Sequence, residues 1–157
     1  MDFITKHDKE LLDQAFAGKN INFLSTAKGH GCLEAIRTYA KHEQNNPLYQ
    51  TPLIILEMRT VVSIDDIIYN VENAENPGEP STIVLVDMDS AGPHLYDDTI
   101  QWIKDNVQEP DNTRKFIIVE YTADAEELKN GRELYSIKEC KELDADNLEE
   151  TLLEKIH

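Results

Sequence analysis

The sequence predicts a doubly wound α/β domain: five short strands in a parallel sheet, covered by helices on both faces. Three observations carry this. Short apolar runs alternate along the chain with amphipathic segments of helical period. The runs are rich in β-branched and aromatic residues and mostly apolar on both faces, as strands between two helical layers must be. Breaks at Asn45-Asn46-Pro47, Asn76-Pro77-Gly78-Glu79-Pro80 and Glu109-Pro110-Asp111-Asn112 each precede a strand.

The first element is a helix from about His7 to Ala17, with Leu11, Leu12, Ala15 and Phe16 on one face and Gly18 ending it. It reads as an N-terminal extension over residues 1–19, ahead of a domain over 20–157. The expected strands are Ile21 to Ser25, Leu53 to Glu57, Ile83 to Asp87, Phe116 to Val119, and Leu134 to Lys138. Between them, Cys32, Leu33, Ile36, Tyr39 and Ala40 form one helical stripe. Ile64, Ile67, Ile68 and Val71 form the clearest, with Ser63 as its N-cap. Ile100, Ile103 and Val107 form a third, and Leu148, Leu152 and Ile156 close the chain. The stretch from Ala123 to Asn130 is short and weakly patterned, ended by Gly131. Right-handed crossovers and this alternation lead to the strand order 2-1-3-4-5. The ligand crevice of such a sheet lies at the carboxyl ends of its strands, where the strand order reverses.

Composition narrows the function classes. At 157 residues the chain can bury one core without staples, and 15 Lys plus Arg against 31 Asp plus Glu give a net charge of −16. That field repels phosphate backbones and anionic membranes and favours basic protein surfaces. Nucleic-acid and membrane partners are therefore not expected. No apolar run reaches the roughly 20 residues of a membrane span, and the opening residues do not read as a secretory signal, so a cytoplasmic location is expected. Cys32 and Cys140 lack the spacing of a zinc site or a disulfide framework.

The sharpest chemical signal is Ile83-Val-Leu-Val-Asp87-Met-Asp89-Ser90-Ala91-Gly92, which delivers carboxylates just past a buried strand. An aspartate there can accept a phosphoryl group or help hold Mg²⁺; it can equally cap the following turn. Thr122 and Lys138, near the ends of the next two strands, would supply a hydrogen-bond donor and a positive charge to such a group. Read singly, Thr122 is a helix N-cap and Lys138 a solvated charge. Glu120, within a central strand, requires access to the crevice or a lysine partner, and Lys138 is the candidate. Lys28-Gly29-His30-Gly31, opening a helix, could present backbone N–H groups to an anion or merely make the turn. His30 and His94 read as loop histidines and Trp102 as the rim of the core.

In this order Asp87, Thr122-Ala123, and Tyr135 with Lys138 resemble the receiver domains of two-component response regulators, over roughly residues 20 to 157. The resemblance implies a flavodoxin-like sheet, a phosphoacceptor at Asp87, a switch aromatic at Tyr135, and an interaction face of Tyr135, Glu139, Glu149 and Glu150. Through that face the domain would bind a basic protein partner or a second copy. The acidic pair that binds Mg²⁺ in receivers is replaced by Ser25 and Thr26, and the proline that follows the family's lysine is Glu139. The chain therefore reads as a pseudo-receiver: a signalling or scaffolding module, non-catalytic, independent of phosphorylation and without a cofactor. The alternative is an Mg²⁺-dependent phosphoryl-transfer enzyme using Glu57, Asp87 and Asp89. Asp87-Met-Asp89-Ser-Ala-Gly92 also resembles the Toprim motif, and Asp87 with Thr122 the haloacid-dehalogenase-like phosphatases; neither pattern is complete.

Overall fold

The computed structural model describes residues 4–18, 20–44, 51–131 and 133–156. The break expected at Asn45-Asn46-Pro47 lies outside them. The elements are α1 (Lys6–Ala17), β1 (Ile21–Thr26), α2 (Cys32–Gln44), β2 (Leu53–Glu57), α3 (Ile64–Ala74), β3 (Ser81–Val86), α4 (Pro93–Gln108) and β4 (Arg114–Glu120). A short hairpin of β5 (Lys129–Asn130) and β6 (Glu133–Leu134) follows, then β7 (Ile137–Leu143) and α5 (Leu148–Ile156).

The main sheet is five-stranded, in the order β2-β3-β4-β1-β7. The first four strands are parallel and β7 runs antiparallel to β1. The expected doubly wound α/β class therefore holds, and the expected order 2-1-3-4-5 does not. β1 lies between β4 and β7, so the α2 connection crosses two strands to reach the far edge at β2. Helical and strand periodicities say which residues are buried, and they do not say which strand lies beside which.

The fifth strand is also corrected. The apolar text Leu134 to Lys138 divides between β6, a bend and the start of β7, and the ladder strand continues to Leu143. An antiparallel return needs no crossover helix. In place of a helix over Ala123 to Asn130 the chain makes one 3₁₀ turn, Ala125–Leu128, and the small hairpin, whose tip contains Gly131 at φ 63°.

Two cores flank the sheet. On one face α1 and α2 bring Leu12, Ala15, Ile36 and Tyr39 against Leu24, Val84, Ile117 and Val119. On the other, α3, α4 and α5 bring Ile67, Val71, Ile103, Leu148 and Leu152 against Phe23, Ile83, Leu85 and Phe116. Ser63 caps α3 through a reciprocal capping box with Asp66. Trp102 sits at the core rim, edge-on to Phe116 at 5.3 Å between centroids.

The helix set apart over residues 1–19 joins this architecture through a buried acid. Asp8 is 2% exposed, and its carboxylate accepts the backbone N–H groups of Ser136 and Ile137 at 2.9 to 3.1 Å. Thr5 caps α1, and Gly18 ends it with its N–H on the Gln14 carbonyl. A Cβ at Gly18 would stand 2.5 Å from the Asn22 side-chain oxygen, so any larger residue must push the buried Asn22 amide aside.

Candidate functional site

At the carboxyl ends of the parallel strands lies a cleft of about 270 Å³, lined by Lys28, Gly29, Glu57, Arg59, Val86, Asp87, Ser90 and Tyr121. Each residue lies at or just past the end of β1, β2, β3 or β4. In this sheet the connection after β1 leads to one face and that after β3 to the other, so the crevice opens between them, above β4.

Asp87 occupies this cleft in the left-handed region, at φ 61° and ψ 56°, the only non-glycine positive φ among the described residues. Aspartate tolerates that conformation better than most side chains. The turn is held from several sides. The Asp87 N–H continues the ladder to the Val119 carbonyl at 2.8 Å, and the Ser90 N–H and hydroxyl both donate to the Asp87 carbonyl. Glu120 holds the next residue: its Oε1 accepts the Met88 N–H at 2.8 Å.

Glu120 is 1% exposed, and its carboxyl is pushed up to about 8. Burial is the main cause, opposed by the Met88 N–H and reinforced by the negative charges of Asp87 and Asp89. The lysine partner expected from sequence is not there. Lys138 pairs instead with Glu127 of the 3₁₀ turn at 3.1 Å.

The set Asp87, Thr122 and Lys138 is therefore not assembled as a phosphoacceptor site. Thr122 caps no helix, and its hydroxyl hydrogen-bonds Ser25. Lys138 lies on an edge strand that runs the opposite way from the one the resemblance implies, and is held away by Glu127. The alternative metal set fails as well: Glu57 and Asp87 line the cleft and Asp89 does not, and the described residues contain no cluster of three or more His, Cys, Asp or Glu able to hold an ion. Glu57 lies 3.6 Å from Arg59.

The expected interaction face is divided between the two sides of the sheet. Tyr135 stacks on His7 of α1, with ring centroids 4.0 Å apart. Glu149 pairs with Lys104 of α4 at 2.7 Å, on the opposite layer, and Glu139 pairs with Lys155 at 2.8 Å. Glu150 is exposed.

The cleft residues that sequence reasoning missed are Arg59, Ser90 and Tyr121. Their signal was positional, since each lies within a few residues of a strand's carboxyl end. The turn before α2 carries Gly29 and Gly31 at φ 80° and 74°. It is fixed by the His30 ring, which bonds the Tyr135 carbonyl at 3.0 Å, and by Ser136, whose hydroxyl donates to the His30 carbonyl at 2.6 Å. Lys28 reaches back over the Tyr121 ring at 5.8 Å. A strand, a glycine turn and a helix form the arrangement that cradles phosphates in P-loop proteins, where Lys and Ser or Thr follow the last glycine. Here those two positions are Cys32 and Leu33.

No protein-family model matches the chain, and no curated protein matches it. Among solved structures, the chain is similar to a point mutant of RuvB from Thermotoga maritima. The TM-score is 0.48 at 14% identity, over 79% of this chain and 41% of that one. The match thus spans less than half the length of the RuvB chain.

Proposed function

We propose that the protein is a non-catalytic module that acts by binding another protein, without a phosphorylation step at Asp87. The observation that carries this reading is the engagement of Lys138 with Glu127 and of Thr122 with Ser25, so the lysine and the hydroxyl that the receiver resemblance assigns to an acyl phosphate have other partners. The net charge of −16 favours a basic protein partner over nucleic acid or an anionic membrane. A cytoplasmic location is part of this proposal, and the free thiols Cys32 and Cys140 are in keeping with it. Among the described residues no helix is long and apolar enough to cross a membrane.

The test is incubation with acetyl phosphate and Mg²⁺, read by intact mass, with a parallel Mg²⁺ titration read from Trp102 fluorescence. No added phosphoryl mass and no saturable Mg²⁺ response are expected. Labelling that disappears in Asp87→Ala would overturn the reading.

A second reading is favoured by one feature of the cleft: Lys28, Gly29 and Arg59 share it. An anion bound there would be held by backbone N–H groups and two cations. Titration with inorganic phosphate and with ATP, read by amide shifts of Gly29 and Gly31, separates this reading from the first.

A further inference from the structure

The two edges of the main sheet differ. One edge, β7, is guarded: Lys138, Lys141 and Glu142 are exposed along it, and Lys138 and Glu139 are tied into ion pairs. The other edge, β2, reads Leu53-Ile54-Ile55-Leu56-Glu57 and bears no charge before its last residue. Among the described residues β2 pairs only with β3. The Thr82 N–H donates to the Pro52 carbonyl, so the parallel ladder engages residues 52, 54 and 56 and turns the N–H and C=O groups of Leu53 and Ile55 outward.

A groove of about 350 Å³ runs beside this edge, lined by Ile55, Leu56, Glu57, Thr60, Val61, Asp66 and Asn70. Two of the most exposed large apolar side chains lie nearby on the same segment, Val62 at 85% and Tyr69 at 69% exposure. The charged residues of the groove's lining are Glu57 and Asp66, with no Lys or Arg among them. Arg59, the nearest cation in sequence, is paired with Glu57.

We propose that β2 is the docking edge of this module, and that its occupant is an extended segment of a partner protein in which apolar residues alternate with Lys or Arg. The segment adds to the sheet as a further strand, taking up the outward groups of Leu53 and Ile55. Its basic side chains face the groove on the α3 side, which Asp66 lines, and its apolar ones fall on the opposite face, beside Leu53 and Ile55. A second copy of this chain is disfavoured as occupant, because it would bring another net charge of −16 to an acidic rim. This inference rests on the protein-binding reading above and gives it a location.

The probe is a short blocked peptide alternating lysine and valine, titrated by fluorescence anisotropy. Hydrogen exchange at Leu53 and Ile55 is followed by NMR. A peptide of equal charge alternating lysine and proline, and one alternating glutamate and valine, serve as controls. Protection of the Ile55 amide by the lysine–valine peptide alone is expected. Ile55→Pro should weaken binding at least tenfold, since it removes an outward donor and leaves the β3 ladder intact. Asn70→Lys, which sets a positive charge in the groove, should weaken binding several-fold and flatten its salt dependence. Should Ile55→Pro fail to fold, the proline peptide on the wild-type chain still decides the matter. Equal binding of the proline peptide, protection at β7 instead, or Ile55 protected by self-association without peptide would each overturn the proposal. Acyl-phosphate labelling at Asp87 would instead strike the underlying reading, whatever the peptides do.

Discussion

Protonation of one buried residue should govern how stability depends on pH. Glu120 is held in the fold with its carboxyl at about 8, against an ordinary value of 4.5. Its folded form thus keeps a proton that the unfolded chain has already lost. Stability from this group is fully present below about pH 4.5 and is lost as pH rises through about 8. At about 1.4 kcal/mol per pH unit across that gap, the loss has a ceiling of ~5 kcal/mol. Glu120→Gln retains a carbonyl oxygen for the Met88 N–H and cannot ionise. Urea unfolding followed at Trp102, from about pH 5 to about pH 9, should show the wild type weakening steadily and the variant nearly flat. The two should be similar at the acid end, with the variant more stable at the alkaline end. Parallel profiles, or a variant weaker at high pH, would refute the argument that burial of a charge dominates this site.

Other perturbations have equally definite outcomes. Asp8→Ala leaves the Ser136 and Ile137 N–H groups without their buried acceptor, and should cost ~2–4 kcal/mol in denaturant unfolding, with faster hydrogen exchange at both amides. Gly18→Ala forces a Cβ onto the Asn22 side chain and should cost ~1–3 kcal/mol by the same assay. Burial pushes the Glu75 carboxyl up, but hydrogen bonds from Arg114 and Ser81 outweigh it and hold the group below the usual range. Its contribution is therefore lost as pH falls through that lowered value, and Arg114→Lys, which breaks the bidentate pair, should reduce this acid-side loss. Burial pushes the Cys32 thiol up to about 12, so it should resist thiol reagents at pH 8 until the chain is unfolded.

The elements themselves were largely legible. Leu53–Glu57 emerged as read, and α1, α3 and α5 fall where their apolar stripes place them. Ser63 and Gly18 were legible as start and stop signals because capping is local chemistry. Neighbour relations were not. Ile21, Ile83 and Phe116 are all fully apolar strand positions, and nothing in their type says that Ile21 lies opposite Phe116 and Ile83 beyond it. The difference at Lys138 follows from that one: on a parallel edge strand beside β4 it would reach Asp87, and on an antiparallel edge beside β1 it meets Glu127. Asp8 was invisible because its partners are backbone groups 128 and 129 residues away. The burial cost of Glu120 is legible, though its partners are the main-chain N–H groups of Met88 and Asp89, which no residue pattern reveals.

The union of α1 with the start of β7 also sets an order of events. During synthesis the helix bearing Leu12 emerges before β1, while the strand that receives Asp8 emerges some 128 residues after that acid. Closing a loop of that length costs only ~2 kcal/mol more than closing one an eighth as long, since the penalty grows by about 0.6 kcal/mol per doubling. The delay is therefore one of timing more than of free energy. Until β7 arrives, β1 is an open edge and α1 lacks its Asp8 clamp, so the nascent chain carries two open sheet edges where the finished one carries β2 alone beside the guarded β7. Slowing translation before Ile137 should prolong that exposure, and with it the window for mispairing.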